Sequence, residues 1–226
     1  MKTTRKPRQE APAPELGRRE QNKLDKAERI RAAASSLFET HGYGPATLRQ
    51  IARRAHVGLG TLFNYAADKR DLIFLIFNEE LGELTASALS APRSGGLIGQ
   101  LMAIYRRHYD YFGARPELSR ILLQELTFYS SGKQSEAFLQ TRRTLISGIG
   151  TIVADAQRSG EISDQEDARF IARSLFFSYS AAIRWWIAGP QPRVKAGLAD
   201  LQRVLELQVR GLAPEEKIKR KSRRIA

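Results

Sequence analysis

The apolar residues of this chain recur at helical spacing over most of its length. In the first such stripe they follow one another mostly at intervals of three and four residues, which places them on one face of a helix. The stripe consists of Leu24, Ala27, Ile30, Ala34, Leu37 and Phe38. Gly42 and the pair Gly44-Pro45 come next and predict the end of this helix. Alternation of apolar and polar residues, the signature of a strand, is missing over any useful length, so the sequence predicts an all-α fold.

Two short helices and a longer one are predicted after the first helix. Thr47 has the residue type of an N-cap, and Gln50 three residues later completes a capping box. His56 lies in the turn that follows, where we expect the left-handed conformation that His tolerates. The next helix carries Thr61, Leu62 and Tyr65. Asp68 is a second predicted N-cap, and the helix that it begins runs to about Leu89 without a proline.

Glycine and proline residues divide the rest of the chain into further helical segments. These segments cover residues 97–114, 116–130, 134–159, 164–188 and 195–211, which gives about nine helices in all. The predicted organisation is a disordered basic arm (1–22), a helix-turn-helix head (23–70), a helical body (71–212) and a basic tail (213–226).

The window from Thr47 to Tyr65 has the features of a helix-turn-helix. Ala52 is small enough for two helices to cross closely, and the residues around that crossing are apolar. They are Ile51, Ala55, Val57 and Leu62. Alanine and leucine at this spacing also occur in ordinary packed helices. The helix-turn-helix is therefore indicated by this spacing together with the flanking helices and the local positive charge. In such a unit the second helix lies in the major groove of DNA.

The charge of the chain is concentrated where the helix-turn-helix is predicted. The net charge is +13. Residues 1–70 hold 15 Lys and Arg against seven Asp and Glu, whereas residues 71–212 hold 16 against 15 and residues 213–226 hold six against two. A surface that binds phosphates concentrates positive charge in this way. We therefore expect the arm to add affinity for DNA, with less weight on the tail.

Residues 24–84 resemble the DNA-binding head of TetR-type (TetR/AcrR) regulators. Four stretches carry the resemblance: Ala-x-x-Leu-Phe-x-x-x-Gly-Tyr from Ala34 to Tyr43, Thr47-Leu-Arg-Gln-Ile-Ala, Val57-Gly-Leu-Gly-Thr-Leu-Phe-Asn-Tyr and Asp68-Lys-Arg-Asp-Leu. The body resembles that family only in its helical pattern, its length and its last two apolar helices. The resemblance implies a homodimer that represses transcription from a palindromic DNA operator, with a pocket for a small-molecule effector in each body.

The resemblance also implies a set of DNA-binding residues. They are Thr47, Arg49, Leu59, Gly60, Thr61, Asn64, Tyr65 and Lys69. Arg49 matches a position that reaches a base or a phosphate, and Lys69 matches a lysine that binds phosphate at the start of the fourth helix. The glycines around Leu59 leave few hydrogen-bonding groups there, so Leu59 is expected to contact thymine methyl groups. The chain departs from the family pattern at His56, Phe63 and Ala66, where glycine, tyrosine and phenylalanine are common.

Aromatic residues of the body are candidates for lining an effector pocket, although most are expected to be ordinary core. Tyr105, Tyr109 and Phe112 share a helical face with His108, so this helix is the preferred pocket wall. The candidate set is Phe77, Tyr105, His108, Tyr109, Phe112, Phe128 and Phe177. The near-neutral body favours a small apolar or aromatic ligand, and Arg106 and Arg107 leave an anion such as an acyl carboxylate open.

The last two predicted helices are expected to pair with their copies in a dimer. Segments 164–188 and 195–211 are apolar on one face, with the final stripe at Leu198, Leu201, Leu205 and Val209. Adjacent residues point in different directions on a helix, so one of Trp185 and Trp186 is expected to pack inward and the other toward the partner. The helix that begins at Asp68 is the only continuous link along the chain through which a filled pocket can move the head.

Several classes of function are disfavoured by what the sequence lacks. The chain has no cysteine, which excludes disulfides and thiolate catalysis and suits a cytoplasmic, nucleoid-associated protein. Histidine pairs at helical spacing and catalytic or nucleotide-binding motifs are missing, so we expect no metal, no cofactor and no enzyme activity. An apolar stretch of membrane-spanning length is missing too. The alternatives left open are a DNA-binding regulator that a protein partner controls and, as a third class, a helical enzyme.

Overall fold

The chain folds into nine α-helices over residues 17–92 and 94–212, the part that the computed structural model describes. The all-helical prediction is confirmed for this part. The helices are α1 (Arg18–His41), α2 (Leu48–Arg54), α3 (Leu59–Leu62), α4 (Lys69–Ser90), α5 (Leu97–Ala114), α6 (Pro116–Glu125), α7 (Ser135–Arg158), α8 (Ala168–Ala188) and α9 (Val194–Gly211). A 3-10 turn, Leu126–Phe128, follows α6.

The first helix begins earlier than the sequence pattern predicts. It starts at Arg18, so residues 18–22 of the predicted arm are part of helix α1 instead of disordered. These residues carry no apolar stripe, which is why periodicity misses them. Glu20 lies in the first turn, where its charge complements the helix dipole, and it pairs with Lys23. The rest of the predicted arm, residues 1–16, and the predicted tail, residues 213–226, lie outside the described residues.

Helices α1, α2 and α3 build the head around a small apolar core. Ile30 of α1, Ile51 of α2 and Leu62 of α3 are fully buried, and burial of each such side chain contributes about 1.5–3 kcal/mol. Two local predictions are confirmed: Thr47 and Gln50 form a reciprocal capping box, and His56 has a φ of 53°. The turn at His56 connects α2 to α3, and these two helices pack against each other as in a helix-turn-helix.

Helices α4 to α9 form the body. The first of them, α4, also packs against α1, so it connects the two parts without a break. Helix α7 packs against α4 and α8, and α9 packs against α5 and α8. The approach of α9 depends on Gly197, because a Cβ atom there would come within 2.5 Å of Trp186 and 2.7 Å of Tyr109. In the described part of the chain, no helix is long and apolar enough to cross a membrane.

Candidate DNA interface and effector cavity

The exposed face of α2 presents three arginines. Arg49, Arg53 and Arg54 are exposed, and within residues 17–92 and 94–212 none of the three has an ion pair or a side-chain hydrogen bond. Arg49 and Arg53 are four residues apart and therefore share a side of the helix. Thr47 lies at the exposed N-cap of the same helix. Unpaired guanidinium groups on one face suit binding to phosphates or to guanine edges.

The recognition helix α3 is a single turn with small and polar residues on its outer side. Gly60 and Asn64 are exposed, and Thr61 is half-buried. Leu59 is half-buried against the core and keeps part of its surface available. The groups that α3 and the following turn can offer to base edges are therefore the Thr61 hydroxyl, the Asn64 amide and the Leu59 methyl groups.

The Lys69 ammonium group is engaged inside the head. Its Nζ donates to the carbonyl oxygens of Tyr43 at 2.7 Å, Gly44 at 2.8 Å and Ala46 at 3.3 Å. It also lies 4.7 Å from the centroid of the Tyr43 ring. An ammonium group has three hydrogens, and here all three have acceptors. In the structure Lys69 therefore holds the α1–α2 loop, and its contact with a DNA phosphate stays a prediction.

Tyr65 lies in the turn after α3 and connects three parts of the molecule. Its hydroxyl donates to the carbonyl oxygen of Lys23 on α1 at 3.1 Å. Its own carbonyl oxygen accepts from the Gln134 side chain, at the start of the body helix α7, at 2.9 Å. A hydrogen bond from Tyr65 to a DNA phosphate therefore requires the hydroxyl to leave Lys23.

The body contains a partly open cavity of about 150 Å³ among α4, α5, α6, α7 and α8. Its walls are mostly aliphatic and aromatic, with polar groups at a few places. The lining residues are Leu81, Thr85, His108, Phe112, Leu123, Leu126, Thr127, Phe138, Thr141, Arg142, Leu145, Phe176, Tyr179, Ser180, Ile183 and Arg184. A cavity of this size and lining holds a small ring such as benzene, so a larger ligand has to expand it.

A buried histidine contributes a neutral polar group to the cavity wall. The Nδ1 atom of His108 is 3.1 Å from the carbonyl oxygen of Ile104, and Nε2 is 3.2 Å from the Thr85 hydroxyl. Because a carbonyl only accepts, the network assigns the proton to Nδ1, and Nε2 accepts from Thr85. Burial lowers the pKa of His108 to about 4, so this residue is uncharged near neutral pH.

Two arginines supply positive charge beside the apolar walls. The Arg184 side chain donates to the carbonyl oxygens of Leu123 at 3.3 Å and Ser180 at 3.0 Å, and burial lowers its pKa. Arg142 is exposed and lies over the Phe138 ring. Across the described residues, neither guanidinium has an ion-pair partner. An apolar space next to unpaired guanidinium groups suits an amphiphilic ligand with an anionic end.

Helices α8 and α9 leave an apolar face uncovered. Phe177 and Trp185 on α8 are 59% and 84% exposed, and Leu207 on α9 is 70% exposed. Trp186, by contrast, is buried, and its ring nitrogen donates to the Arg193 carbonyl oxygen at 3.0 Å. The two adjacent tryptophans therefore point in different directions, as predicted.

The apolar stripe predicted as the dimer contact of the last helix lies elsewhere. Its residues Leu198, Leu201 and Leu205 are buried against the body of the same chain. The exposed apolar side chains of α9 are Val204 and Leu207, on another face. The prediction for this stripe is wrong because a helix that packs on α5 and α8 needs an apolar stripe for that purpose alone.

Comparison with known proteins identifies the head. Residues 30–76 match the family model for bacterial regulatory proteins of the tetR family. These residues cover α2 and α3 with the second half of α1 and the start of α4. The head is therefore a tetR-type DNA-binding domain. It carries the helix-turn-helix of a transcription regulator and lies on a helical body.

The similarity to tetR-family proteins extends beyond the head. The "Fatty acid metabolism regulator protein" of Bacillus subtilis is 22% identical over 181 residues, which cover 80% of this chain and 92% of that protein. The "Uncharacterized HTH-type transcriptional regulator YhgD" of the same organism is 28% identical over 82% of this chain and 95% of its own length. Both alignments include most of the body.

Solved structures share the fold over most of the chain. Thermus thermophilus FadR, solved in complex with lauroyl-CoA, has a TM-score of 0.61 at 23% identity and covers 79% of this chain and 92% of its own. Bacillus subtilis FadR, solved with stearoyl-CoA, has a TM-score of 0.62 at 21% identity and covers 80% of this chain and 97% of its own. At 21–23% identity, this similarity shows a shared fold only.

The predicted pocket residues of the body are distributed over three environments. His108 and Phe112 line the cavity. Phe77, Tyr105 and Tyr109 are buried outside its lining: Phe77 packs against Tyr111, Tyr105 stacks on Tyr179 and Tyr109 lies beside Trp186. Phe128 and Phe177 are 84% and 59% exposed and do not line the cavity. Arg106, a candidate for an anion, is exposed, and Arg107 bonds to Ser87.

The sequence analysis missed most of the cavity wall. Phe138, Tyr179, Arg142 and Arg184 come from α7 and α8, and only the packing of those helices brings them to one space. The two arginines carry no motif that distinguishes them from the other basic residues of the body. Over the residues that the structure describes, no group of three His, Asp or Glu side chains is arranged to hold a metal ion.

Proposed function

We propose that this protein is a homodimeric repressor that leaves a palindromic operator when an amphiphilic ligand with an apolar chain and an anionic end fills the body cavity. The carrying observation is the cavity itself, with its apolar walls and the unpaired guanidinium groups of Arg142 and Arg184. The acyl-CoA esters bound to the similar FadR proteins have this chemistry. We take acyl-CoA as the ligand class.

The proposed DNA contacts follow from exposure and charge on the head. Arg49 approaches a base or a phosphate, with Arg53 beside it. Thr47, Leu59, Gly60, Thr61 and Asn64 complete the set around α3, and Tyr65 joins it if its hydroxyl leaves Lys23. One helix-turn-helix makes few base contacts, so tight and specific binding requires two heads on one operator.

A second copy of the chain is the proposed partner for the uncovered face of α8 and α9. Phe177, Trp185, Val204 and Leu207 give this face large apolar side chains, and exposed apolar groups of that extent are typical of an interface. Pairing α8 and α9 with their copies forms a four-helix contact. Such a contact fixes the separation of the two heads.

In the proposed mechanism, the ligand acts by enlarging the cavity. The present volume of about 150 Å³ suits a benzene-sized molecule, so a long acyl chain separates the walls as it enters. Transfer of each methylene group from water contributes about 0.8 kcal/mol, which drives that expansion. The anionic end stays near Arg142 at the exposed side.

The proposal is tested by calorimetric titration of the protein with lauroyl-CoA, lauric acid and free CoA. We expect lauroyl-CoA to bind more tightly than free CoA, because CoA lacks the chain. Arg142→Gln should weaken lauroyl-CoA binding about tenfold, since it removes a charged hydrogen-bond donor. Arg143→Gln is the matched control, because Arg143 is equally exposed but pairs with Glu136. The failure of both acyl probes to bind would instead favour a regulator that a protein partner controls.

A further inference from the structure

A buried carboxylate joins the head to the body. Asp71 lies in the first turn of α4 and is 1% exposed. Its Oδ2 atom accepts from the backbone nitrogens of Ala67 and Lys133, both at 2.8 Å. Its Oδ1 atom accepts from the backbone nitrogen of Gln134 at 3.0 Å and from the Tyr129 hydroxyl. Ala67 belongs to the turn before α4, whereas the other three donors belong to the loop between α6 and α7.

This head–body junction, meaning Asp71 with Ala67, Tyr129, Lys133 and Gln134, has further bonds on both sides. The Gln134 side chain donates to the Tyr65 carbonyl oxygen at 2.9 Å, just after the recognition helix. The Arg70 side chain donates to the backbone carbonyl oxygen of Glu125 at 3.1 Å and pairs with its carboxylate at 3.2 Å. Gly132 allows the close approach: its φ is +129°, and a Cβ atom there would lie 2.8 Å from the Asp71 carboxylate.

The bonds of Asp71 are interdependent because of its burial. Within the described residues its carboxylate has no ion-pair partner, so the four hydrogen bonds alone offset the cost of removing it from water. Loss of one donor leaves the carboxylate less well solvated and makes the remaining hydrogen bonds less stable. The structure shows the arrangement in which the loop is bonded to Asp71, and the inference below concerns a second one in which the loop is displaced.

Aromatic contacts connect the junction to the cavity. The Tyr129 ring stacks on Phe74 with 3.5 Å between centroids and 5° between planes. Phe138 meets the Phe74 ring edge-on at 5.0 Å, and Phe138 is itself part of the cavity wall. A displacement of Phe138 thus reaches the Asp71 carboxylate through two further rings.

We infer that Asp71 is the positioning residue through which the body holds the head in its DNA-binding orientation, and that its bonds to the 129–134 loop are what a filled cavity breaks. The part concerning the filled cavity rests on the proposed function; the part concerning head orientation does not. A ligand that needs more room than the cavity has moves Phe138, then Phe74 and Tyr129, and so favours the arrangement with the loop displaced. The head is then free to move relative to the body.

The absence of cysteine from the sequence makes the orientation of the head directly measurable. Spin labels are attached to the full chain at Glu39→Cys in the head and Ser147→Cys in the body, both at exposed positions. The labelled protein is diluted with unlabelled protein, and the distance distribution within one chain is recorded by pulsed electron resonance. The junction variants are Asp71→Asn and Tyr129→Phe. The control is Tyr111→Phe, which removes a hydroxyl that donates to Glu80 within the body.

The inference predicts a shifted or broader distribution for both junction variants and an unchanged one for Tyr111→Phe. If Asp71→Asn does not fold, Tyr129→Phe decides, because it removes a single hydroxyl group. Superimposable distributions for the wild type and the folded junction variants would overturn the inference. This result is independent of any DNA or ligand, so a failure of the proposed function leaves it readable.

A second measurement tests the coupling to the cavity. The fold-change in DNA affinity that saturating lauroyl-CoA produces is compared between the wild type and Tyr129→Phe. A coupling of the usual strength is about 5- to 150-fold, and we expect the variant to reduce it at least about threefold while lauroyl-CoA still binds. An unchanged ratio would overturn the role of the junction in release.

Discussion

At the scale of single residues, local chemistry is readable from the sequence and long-range partners are not. The capping box of Thr47 and Gln50 and the left-handed His56 involve neighbours a few positions apart, and both were predicted. The role of Lys69 depends on carbonyl groups 23 to 26 positions earlier, which approach only when α1 and α4 pack. The sequence therefore could not show that Lys69 binds the α1–α2 loop, and its contact with a phosphate stays a prediction.

Substitution of Arg49 and of Lys69 should have different effects on the salt dependence of DNA affinity. Arg49→Ala should lower the slope of log affinity against log salt by about one unit, because a phosphate contact releases a counterion. Lys69→Ala should leave the slope unchanged and lower the free energy of unfolding by about 2 kcal/mol, since three carbonyls lose a charged donor. DNA titrations over a salt series and urea unfolding measure the two quantities. A slope reduced by Lys69→Ala as much as by Arg49→Ala would restore the phosphate contact.

The buried His108 makes stability depend on pH. Its pKa is depressed to about 4 in the folded protein and is about 6.5 in the unfolded chain, so the unfolded chain binds the proton first. The wild type should lose stability as the pH falls from about 6.5 to about 4, by roughly 3 kcal/mol from this residue. The free energies of unfolding of the wild type and His108→Gln, compared over that range, isolate the effect from other titrating groups. Parallel curves would contradict it.

At the scale of helices, the sequence predicts where a helix ends better than it predicts what the apolar face of the helix packs against. Glycine and proline residues mark the ends of α5 and α9 within a residue or two. The stripe of Leu198, Leu201 and Leu205 looks the same whether it faces the core or a partner, and only the packing of α9 shows that it is core. The cavity was also beyond prediction, because its walls come from five helices and its volume from small mismatches between them.

If the exposed face of α8 and α9 is the dimer interface, a charge placed on it should prevent dimer formation. Leu207→Glu should convert the proposed dimer to a monomer of 25.4 kDa without loss of helicity, because Leu207 is 70% exposed and the charge enters only the proposed interface. Light scattering combined with circular dichroism measures both properties. The control is Gln202→Glu, an exposed position on the same helix. A wild type that already has the mass of one chain at micromolar concentration would remove the proposed interface.

At the scale of the whole molecule, a chain of contacts runs from the cavity through the head–body junction to the recognition helix α3. The cavity meets the head–body junction through Phe138 and Phe74, and the junction meets the recognition helix through the turn at Tyr65. The uncovered face of α8 and α9 is made of other residues of the body, Phe177, Trp185, Val204 and Leu207. A ligand can change DNA affinity only through a difference in its own affinity for the two arrangements. In the proposed mechanism, the need to enlarge the cavity supplies that difference.

The most direct test of this account measures DNA release by the ligand. Duplexes enriched from a random library by the wild-type protein are labelled, and their affinity is measured by fluorescence anisotropy at one fixed salt concentration, with and without saturating lauroyl-CoA. We expect lauroyl-CoA to weaken DNA binding at least about tenfold, free CoA to leave it unchanged, and Arg142→Gln to require a higher concentration of lauroyl-CoA for the same effect. Equal DNA affinity with and without lauroyl-CoA, at concentrations where calorimetry shows that it is bound, would contradict the account.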